Sequence, residues 1–459
     1  MRYKRYGVWQ RYTWKDYYLN VKYLALGLLS LGFEPGDKVL IIGDNAPQWY
    51  YAELAAQANH GVSVGVYSDS TPLEIKYFTH RTMMAGAEHH LHLDPWHEND
   101  NAVPYLPPVW MTEQWLAIGC HLLSANILNF AEGPETQQQD AREIGPNILF
   151  HGARLWEDQA AMIQARILGA DAIKRSAFHL FMPIGYKIAD FRFQKKKPNL
   201  LWKTLYVLAD IALFRSIKDK LGLSKARICY ATGAILSPDV LRFYHALDVP
   251  LKSLYGTTEG GALTGARNDD IRLETVGPVH QEAKVRVTDQ GELVYRQPGI
   301  FLGYYKDSDK TAEVLKDGWF HSGDHGFINE DGHLVVLGRV KDLVELANGD
   351  ELAPQLIESR LRFSPYIKDA WVVAGPDGAY VSAIIIIDQD SVSRWAGQRG
   401  VAYTTFAELS QGPEVYELVK RDSKRLGARH FHRLLGSYGA SKPGGCLIRQ
   451  LFASAWHLE

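Results

Sequence analysis

Cysteine is scarce in this sequence, and the three residues present, Cys120, Cys229 and Cys446, lie far apart. Neither a disulfide framework nor a zinc site is indicated, and a reducing cytoplasm is the natural compartment. Long hydrophobic runs are also missing: nothing reaches the roughly 18 residues that cross a bilayer. The best stretch, Leu205 to Phe214, is interrupted by Asp210. Met1-Arg2-Tyr3-Lys4-Arg5 supplies positive charge, but the polar, Tyr/Trp-rich residues behind it do not make a signal-peptide core. Excess charge is absent as well, the net value being −2, so nothing points to nucleic acid. No Gly-Lys pair occurs, which excludes an ordinary P-loop. We find no internal repeat and no low-complexity tract.

What is present is ample core material, 46% hydrophobic against 22% charged residues in a 459-residue chain. That length accommodates three domains, or one large and one small. Trp14 to Leu31 reads as a helix, Lys38 to Ile42 as a buried strand, Gln48 to Asn59 as a helix and Gly61 to Tyr67 as a strand, an alternation that predicts α/β sheets. Thr71-Pro72-Leu73-Glu74 is a capping box with proline in the first turn, and Ser237-Pro238 opens a helix in the same manner. From Ala283 the pattern becomes antiparallel β: Lys284, Arg286 and Thr288 alternate with Val285 and Val287 before a turn at Asp289-Gln290-Gly291. Asp331-Gly332 marks a second hairpin, leading to Leu334-Val335-Val336-Leu337. The stretch Leu200 to Lys220 has two readings, an amphipathic helix on a core or a peripheral membrane contact, and general grounds favour the first.

The segment Ser253-Leu254-Tyr255-Gly256-Thr257-Thr258-Glu259-Gly260-Gly261 carries the most chemistry. Thr257 and Thr258 offer donors to phosphate oxygens, Glu259 is the hard oxygen ligand that magnesium prefers, and glycines let backbone amides approach an anion. Tyr255 could stack on a base; an ordinary Gly-rich turn is an equal reading of these nine residues alone. Downstream come Gly318-Trp319-Phe320-His321-Ser322-Gly323-Asp324-His325-Gly326, Gly338-Arg339-Val340-Lys341-Asp342 and Asn348-Gly349-Asp350. A carboxylate such as Asp324 accepts two vicinal hydroxyls, and a permanently charged guanidinium such as Arg339 suits a phosphate-bearing site.

Together, and in this order, these segments resemble the adenylate-forming (AMP-binding) synthetase superfamily. The resemblance runs from the start to about Leu418. It implies a large N-terminal domain of α/β sheets with a β-barrel-like subdomain over residues 1–340, and a small α+β C-terminal domain over 341–459. It implies that Tyr255, Gly256, Thr257 and Thr258 hold AMP, that Thr258 and Glu259 serve catalysis with Glu259 on Mg2+, and that Asp324 and Arg339 grip the ribose. Gly233 and Ala234, in Thr232-Gly233-Ala234-Ile235, match the adenine-side loop. Lys341 falls at the interdomain hinge, and Asn348 and Gly349 on the loop lining the coenzyme A tunnel.

Softer segments narrow the likeness to long-chain acyl-CoA synthetases: Trp9-Gln10-Arg11-Tyr12-Thr13-Trp14, Leu106 to Trp115, Arg154-Leu155-Trp156-Glu157, and Pro354 to Glu358 followed by Phe363 to Ile367. The implied reaction joins a fatty acid to AMP from ATP and then to coenzyme A. Two departures stand against full activity. The family's Ser/Thr/Gly-rich phosphate loop should precede Thr79-His80-Arg81-Thr82, yet Glu74-Ile75-Lys76-Tyr77-Phe78 stands there, as though a segment were deleted between Phe78 and Thr79. After about Lys420 the family pattern dissolves into a charge-rich tail, and Lys442 is not adopted as the catalytic lysine. The alternative is therefore a nucleotide- or acyl-adenylate-binding pseudoenzyme. Gly61-Val62-Ser63-Val64-Gly65 matches a hydrolase nucleophile elbow in letters, but its strand and helix come in the reverse order. His89, His90, His92 and His97 read as a solvated loop rather than metal ligands.

Overall fold

The computed structural model describes residues 1–66, 76–77, 80–346, 351–374 and 381–427. The predicted capping box at Thr71 and the Phe78/Thr79 junction lie outside them. The main sheet has seven strands in the order Leu251–Ser253, Ile228–Thr232, Ile148–Gly152, Asn101–Ala102, Ile127–Phe130, Arg2–Arg5 and Val8–Arg11. All neighbours run parallel except the last pair. That pair is a hairpin whose two turn residues, Tyr6 and Gly7, both take positive φ, matching the twist of the flanking strands.

The strand Ile228–Thr232 is buried along its whole length, as a central parallel strand should be. One face packs on the helices Ala153–Leu168, Ala172–Phe193 and Pro238–Ala246. There the Trp156 indole donates to the Tyr230 carbonyl at 3.1 Å, and the Tyr244 hydroxyl donates to the Trp156 carbonyl at 3.0 Å. Ser237 caps its helix as expected, accepting from the Asp239 amide. Trp14–Ser30 is a helix closed by a reciprocal Thr13/Asp16 capping box, and Pro47–Ala58 is the second.

Lys38–Ile42 and Val62–Val66 pair in parallel and, among the described residues, form a sheet of two strands. Ile41 is buried, whereas Leu40 and Ile42 stand exposed, so the expected buried strand is covered on one face alone. Ser63 lies inside the second of these strands, not at a strand-to-helix turn, and its hydroxyl faces Glu53 at 3.4 Å. The hydrolase elbow is thereby disposed of on geometry. The histidine-rich segment is a correction to the sequence reading: His89, His90 and His92 ride on the helix His80–Leu93, and His90 is buried among Trp96, Trp115, Phe150 and Tyr230. The periodicity of apolar residues there is diluted by histidines, which hides the helix from a pattern argument.

A second, curled antiparallel sheet contains Lys284–Val287, Glu292–Arg296, Trp319–Ile328, Leu334–Arg339 and Leu315–Lys316. Both predicted turns are present, with Gly291 and Gly332 at positive φ. After Asp342 the chain builds a further core from Leu361, Ile367, Val372, Ile387, Val392 and Val419, around the strand pair Ile367–Ala374 and Val381–Ile387. This part docks on the helix Ala153–Leu168 through charge: Arg362 and Ser359 both reach the buried Glu157 carboxylate, and Arg154 pairs with Asp369 at 2.8 Å.

Two carboxyl groups are sealed into the N-terminal half. Burial pushes Glu113 up to about 8, against partial relief from the Leu106 amide and Tyr50, and pushes Glu53 up to about 7. Both bind protons more tightly folded than unfolded, so the stability they lend is complete below their unfolded pKa and is lost as pH rises through 7 to 8. Each group contributes a slope of about 1.4 kcal/mol per pH unit over its window. The buried histidines, neutral in the fold, act in the opposite direction over the same interval, so the test is a comparison: in urea denaturation Glu113→Gln should gain stability relative to the unmodified protein as pH rises from 5.5 to 8, and a difference between the two that is independent of pH contradicts the assignment.

Candidate active site

Parallel strands deliver the first half of the site. Ser253 is in register with Ala231 on the neighbouring strand, so the loops leaving both strands emerge side by side at the carboxyl edge of the main sheet, where α/β folds bind ligands. One loop holds Gly233 and Ala234, both exposed, with Gly233 at φ 83°. The other begins at Leu254 and folds into a tight hairpin, Gly256 opposite Ala262 and Thr257 opposite Gly261, with Thr258, Glu259 and Gly260 at its tip. Glycine is obligatory at position 256, where a Cβ would lie 2.5 Å from the Gly261 carbonyl oxygen.

The curled sheet delivers the second half. Asp324 stands directly opposite Arg339 on adjacent antiparallel strands, and the Arg339 Nε sits 3.2 Å from Asp324 Oδ1 while its Nη1 donates to the Ser322 carbonyl at 2.8 Å. Gly323, at φ 68°, directs its amide onto Glu292 Oε1 at 2.9 Å, which fixes the turn before Asp324.

One hydrogen bond joins the halves: the Tyr255 hydroxyl donates to Asp324 Oδ2 at 2.6 Å. Burial raises both groups from their ordinary values, the phenol well above 10 and the Asp324 carboxyl more modestly because Tyr255 and Arg339 favour its charged form. The phenol therefore remains the donor. Most of the Tyr255 ring is packed among Leu263, Leu293, Tyr295, Phe301 and Phe320.

Four residues that sequence reasoning did not single out support the hairpin tip. The Tyr295 hydroxyl, fully buried, meets Thr257 Oγ1 at 3.0 Å, and the same Thr257 oxygen accepts from the Gly260 amide at 2.8 Å. Tyr304 donates to Glu259 Oε1 at 3.0 Å. Gln297 donates to the Gly260 carbonyl and is hydrogen-bonded in turn to His280, whose ring lies 3.9 Å from that of His89. Burial depresses both imidazoles, His89 to about 3, so the pair is neutral at physiological pH. Thr257 is thus engaged in holding its own turn. Thr258, half-buried at the tip, makes no hydrogen bond among the described residues.

Lys341 follows directly in a single 3₁₀ turn, Val340–Asp342, and is exposed. Asn348 and Gly349 lie outside the described residues. The structure accordingly brings Gly233, Ala234, Tyr255 to Glu259, Asp324 and Arg339 around one edge.

Comparison with known proteins gives this edge a context. The AMP-binding enzyme family matches residues 2–82 and 77–305, two segments that meet at 77–82. A long-chain-fatty-acid–CoA ligase of Mycobacterium bovis is 24% identical over 509 alignment positions, more than the 459 residues available here, covering 89% of this chain and 83% of the relative. Long chain acyl-CoA synthetase 1 of Arabidopsis thaliana is 32% identical over 313 residues, 64% of this chain and 46% of that protein. Among solved structures, ATP-bound MatB from Rhodopseudomonas palustris superposes with a TM-score of 0.62 at 16% identity, covering 85% of this chain and 87% of the other. The adenylation domain of a carboxylate reductase from Mycobacterium chelonae gives 0.63 at 15% identity over 92% and 77%.

Replacing Tyr255 by Phe leaves a buried carboxylate one donor short. Chemical denaturation should register a loss of about 1–3 kcal/mol, and an unchanged midpoint would show that the bond joining the two sheets carries no weight.

Proposed function

The chain belongs to the AMP-binding enzyme family, and from that premise we propose that it joins a fatty acid to AMP and passes the acyl group to the thiol of coenzyme A. The observation that carries this reading is the convergence of the Tyr255–Asp324–Arg339 cluster with the Thr258-Glu259 tip at the carboxyl edge of a parallel sheet. In the first half-reaction a carboxylate oxygen bonds to the α-phosphorus of ATP and the bond to pyrophosphate breaks. In the second, the thiol sulfur bonds to the acyl carbon, the acyl–phosphate bond breaks with its electrons leaving on AMP, and the thiol proton passes to solvent.

The roles follow from side-chain chemistry. Asp324, held by Tyr255 and Arg339, accepts the ribose hydroxyls, and Arg339 adds a second contact there. The Gly233-Ala234 backbone and Tyr255 bound the adenine, while Gly256 and the Thr257 backbone shape the phosphate side. Thr258 donates to the α-phosphate. Glu259, one oxygen steadied by Tyr304, is the hard carboxylate that would hold a magnesium ion here. When bound, that ion supplies neutralisation of phosphate charge. Lys341 is the hinge about which the small domain turns, and Asn348 and Gly349 line the thiol's approach. The fatty-acid assignment is supported by the names of the relatives.

Turnover in this chain is proposed to be impaired. The two-segment family match meeting at 77–82 agrees with a missing phosphate loop, and the family's catalytic-lysine region has no recognisable counterpart after about Lys420. Loss of one preorganised donor lowers rate by about 10²–10³. The same observations favour a second reading, an acyl-adenylate-binding protein without turnover.

Pyrophosphate exchange over a fatty-acid panel, run beside the M. bovis ligase, should be lower here by at least that factor; near-normal exchange overturns the impairment. Calorimetry with a non-hydrolysable acyl-adenylate analogue should show binding that Asp324→Ala weakens about 10- to 100-fold, as removal of a buried ribose acceptor predicts. No binding by the unmodified protein would overturn the site itself.

A further inference from the structure

The helical hairpin formed by Ala172–Phe193 and Leu200–Ala209 leaves an apolar face that nothing among the described residues covers. Both helices bury their inner sides in the same core, through Met182, Ala189 and Phe193 on the first and Ala209, Leu213 and Phe214 on the second and its extension. Their outer sides therefore point away from that core together. Along the second helix the outer positions Leu200, Thr204, Leu208 and Ile211 recur at helical spacing, and the three apolar ones are 79%, 55% and 59% exposed. Leu201 and Val207 flank them, and Ile173 and Leu180 continue the face onto the first helix at 82% and 64% exposure. The bland sequence reading, an amphipathic helix with its apolar side on a core, accounts for the inner side only.

Charge identifies the occupant. Between Ala172 and Lys220 eleven Lys and Arg residues stand against three Asp and no Glu, a net +8 in a chain whose total is −2. The acids there are neutralised locally: Asp190 by Arg242, Asp210 by Arg215 and Lys218, Asp219 by Arg142. Lys195 is spent on Asp270 and Lys174 on Asp171. Lys196 and Lys197, in the loop joining the helices, and Lys203, on the second helix, are exposed and make no ion pair among the described residues. A second copy of the chain would bring identical lysines together across a two-fold axis. An anionic surface with an apolar interior meets both requirements.

We propose that this hairpin is an in-plane docking element for anionic lipid bilayers, its leucines and isoleucines entering the headgroup boundary and Lys196, Lys197 and Lys203 lying against phosphate. No helix among the described residues is long and apolar enough to cross a membrane, so the contact is a peripheral one. Docking is independent of the chemistry at Asp324 and is read out separately from it.

Co-sedimentation with vesicles of equimolar phosphatidylcholine and phosphatidylglycerol tests it. The protein should pellet with these vesicles, less with pure phosphatidylcholine, and less again as salt is raised. Leu208→Glu combined with Ile211→Glu should release it, and each of Lys196→Gln and Lys197→Gln should lower partitioning about fivefold. All four positions are exposed, and circular dichroism confirms that the variants remain folded. Equal pelleting with neutral and anionic vesicles, variants that pellet like the parent, or self-association by sedimentation velocity that Leu208→Glu abolishes would overturn the proposal, the last by identifying a second copy as the occupant.

Discussion

The hydrogen bond from Tyr255 to Asp324 is the constraint around which the candidate site is organised. It links residues 69 apart in sequence, one in the loop leaving the carboxyl edge of the parallel strands and the other inside an antiparallel strand. Without it Asp324 would be a buried carboxylate with Arg339 as its chief compensation, and the loop that opens the Gly256–Ala262 hairpin would lose its tie to the strand it faces. Burial strengthens the link by keeping the phenol protonated, while the second oxygen of Asp324 remains directed to Arg339. The other supports also use tyrosines but in the opposite sense, Tyr295 reaching from Glu292–Arg296 to Thr257 and Tyr304 from Gly303–Tyr304 to Glu259.

Much of this was legible from sequence because it is local. The strand Lys38–Ile42 has the bounds its sequence predicts, and the Ser237-Pro238 helix start and the Gly291 and Gly332 turns follow from chemistry within four or five positions. The pairing of Asp324 with Arg339 was legible only through resemblance, since no periodicity announces a cross-strand partner. Tyr295, Tyr304, Gln297 and His280 escaped altogether: their roles depend on contacts across 17 to 45 residues, and as isolated letters they are unremarked members of strands and turns. The histidine helix escaped for another reason, its inward face carrying imidazoles where an apolar stripe would have declared it.

Thr257 shows why motif and geometry must be read separately. Its letter resembles part of a phosphate-binding pattern, but its hydroxyl is satisfied by Tyr295 and the Gly260 amide, which commits it to the shape of the turn. The hydroxyl that remains is that of Thr258. A similar division runs through the outer hairpin: periodicity identifies an apolar stripe, and only the packed structure tells which of two stripes the core has taken.

The two-stranded pair Lys38–Ile42 and Val62–Val66 has a consequence of a colloidal kind. Parallel strands ordinarily exist with both faces shielded and neighbours on either side. Here Leu40 and Ile42 face outward, and a pair with no third strand among the described residues presents hydrogen-bonding edges beside bare aliphatic side chains, the combination from which intermolecular sheets nucleate. Association through such an edge joins two molecules, so dilution opposes it.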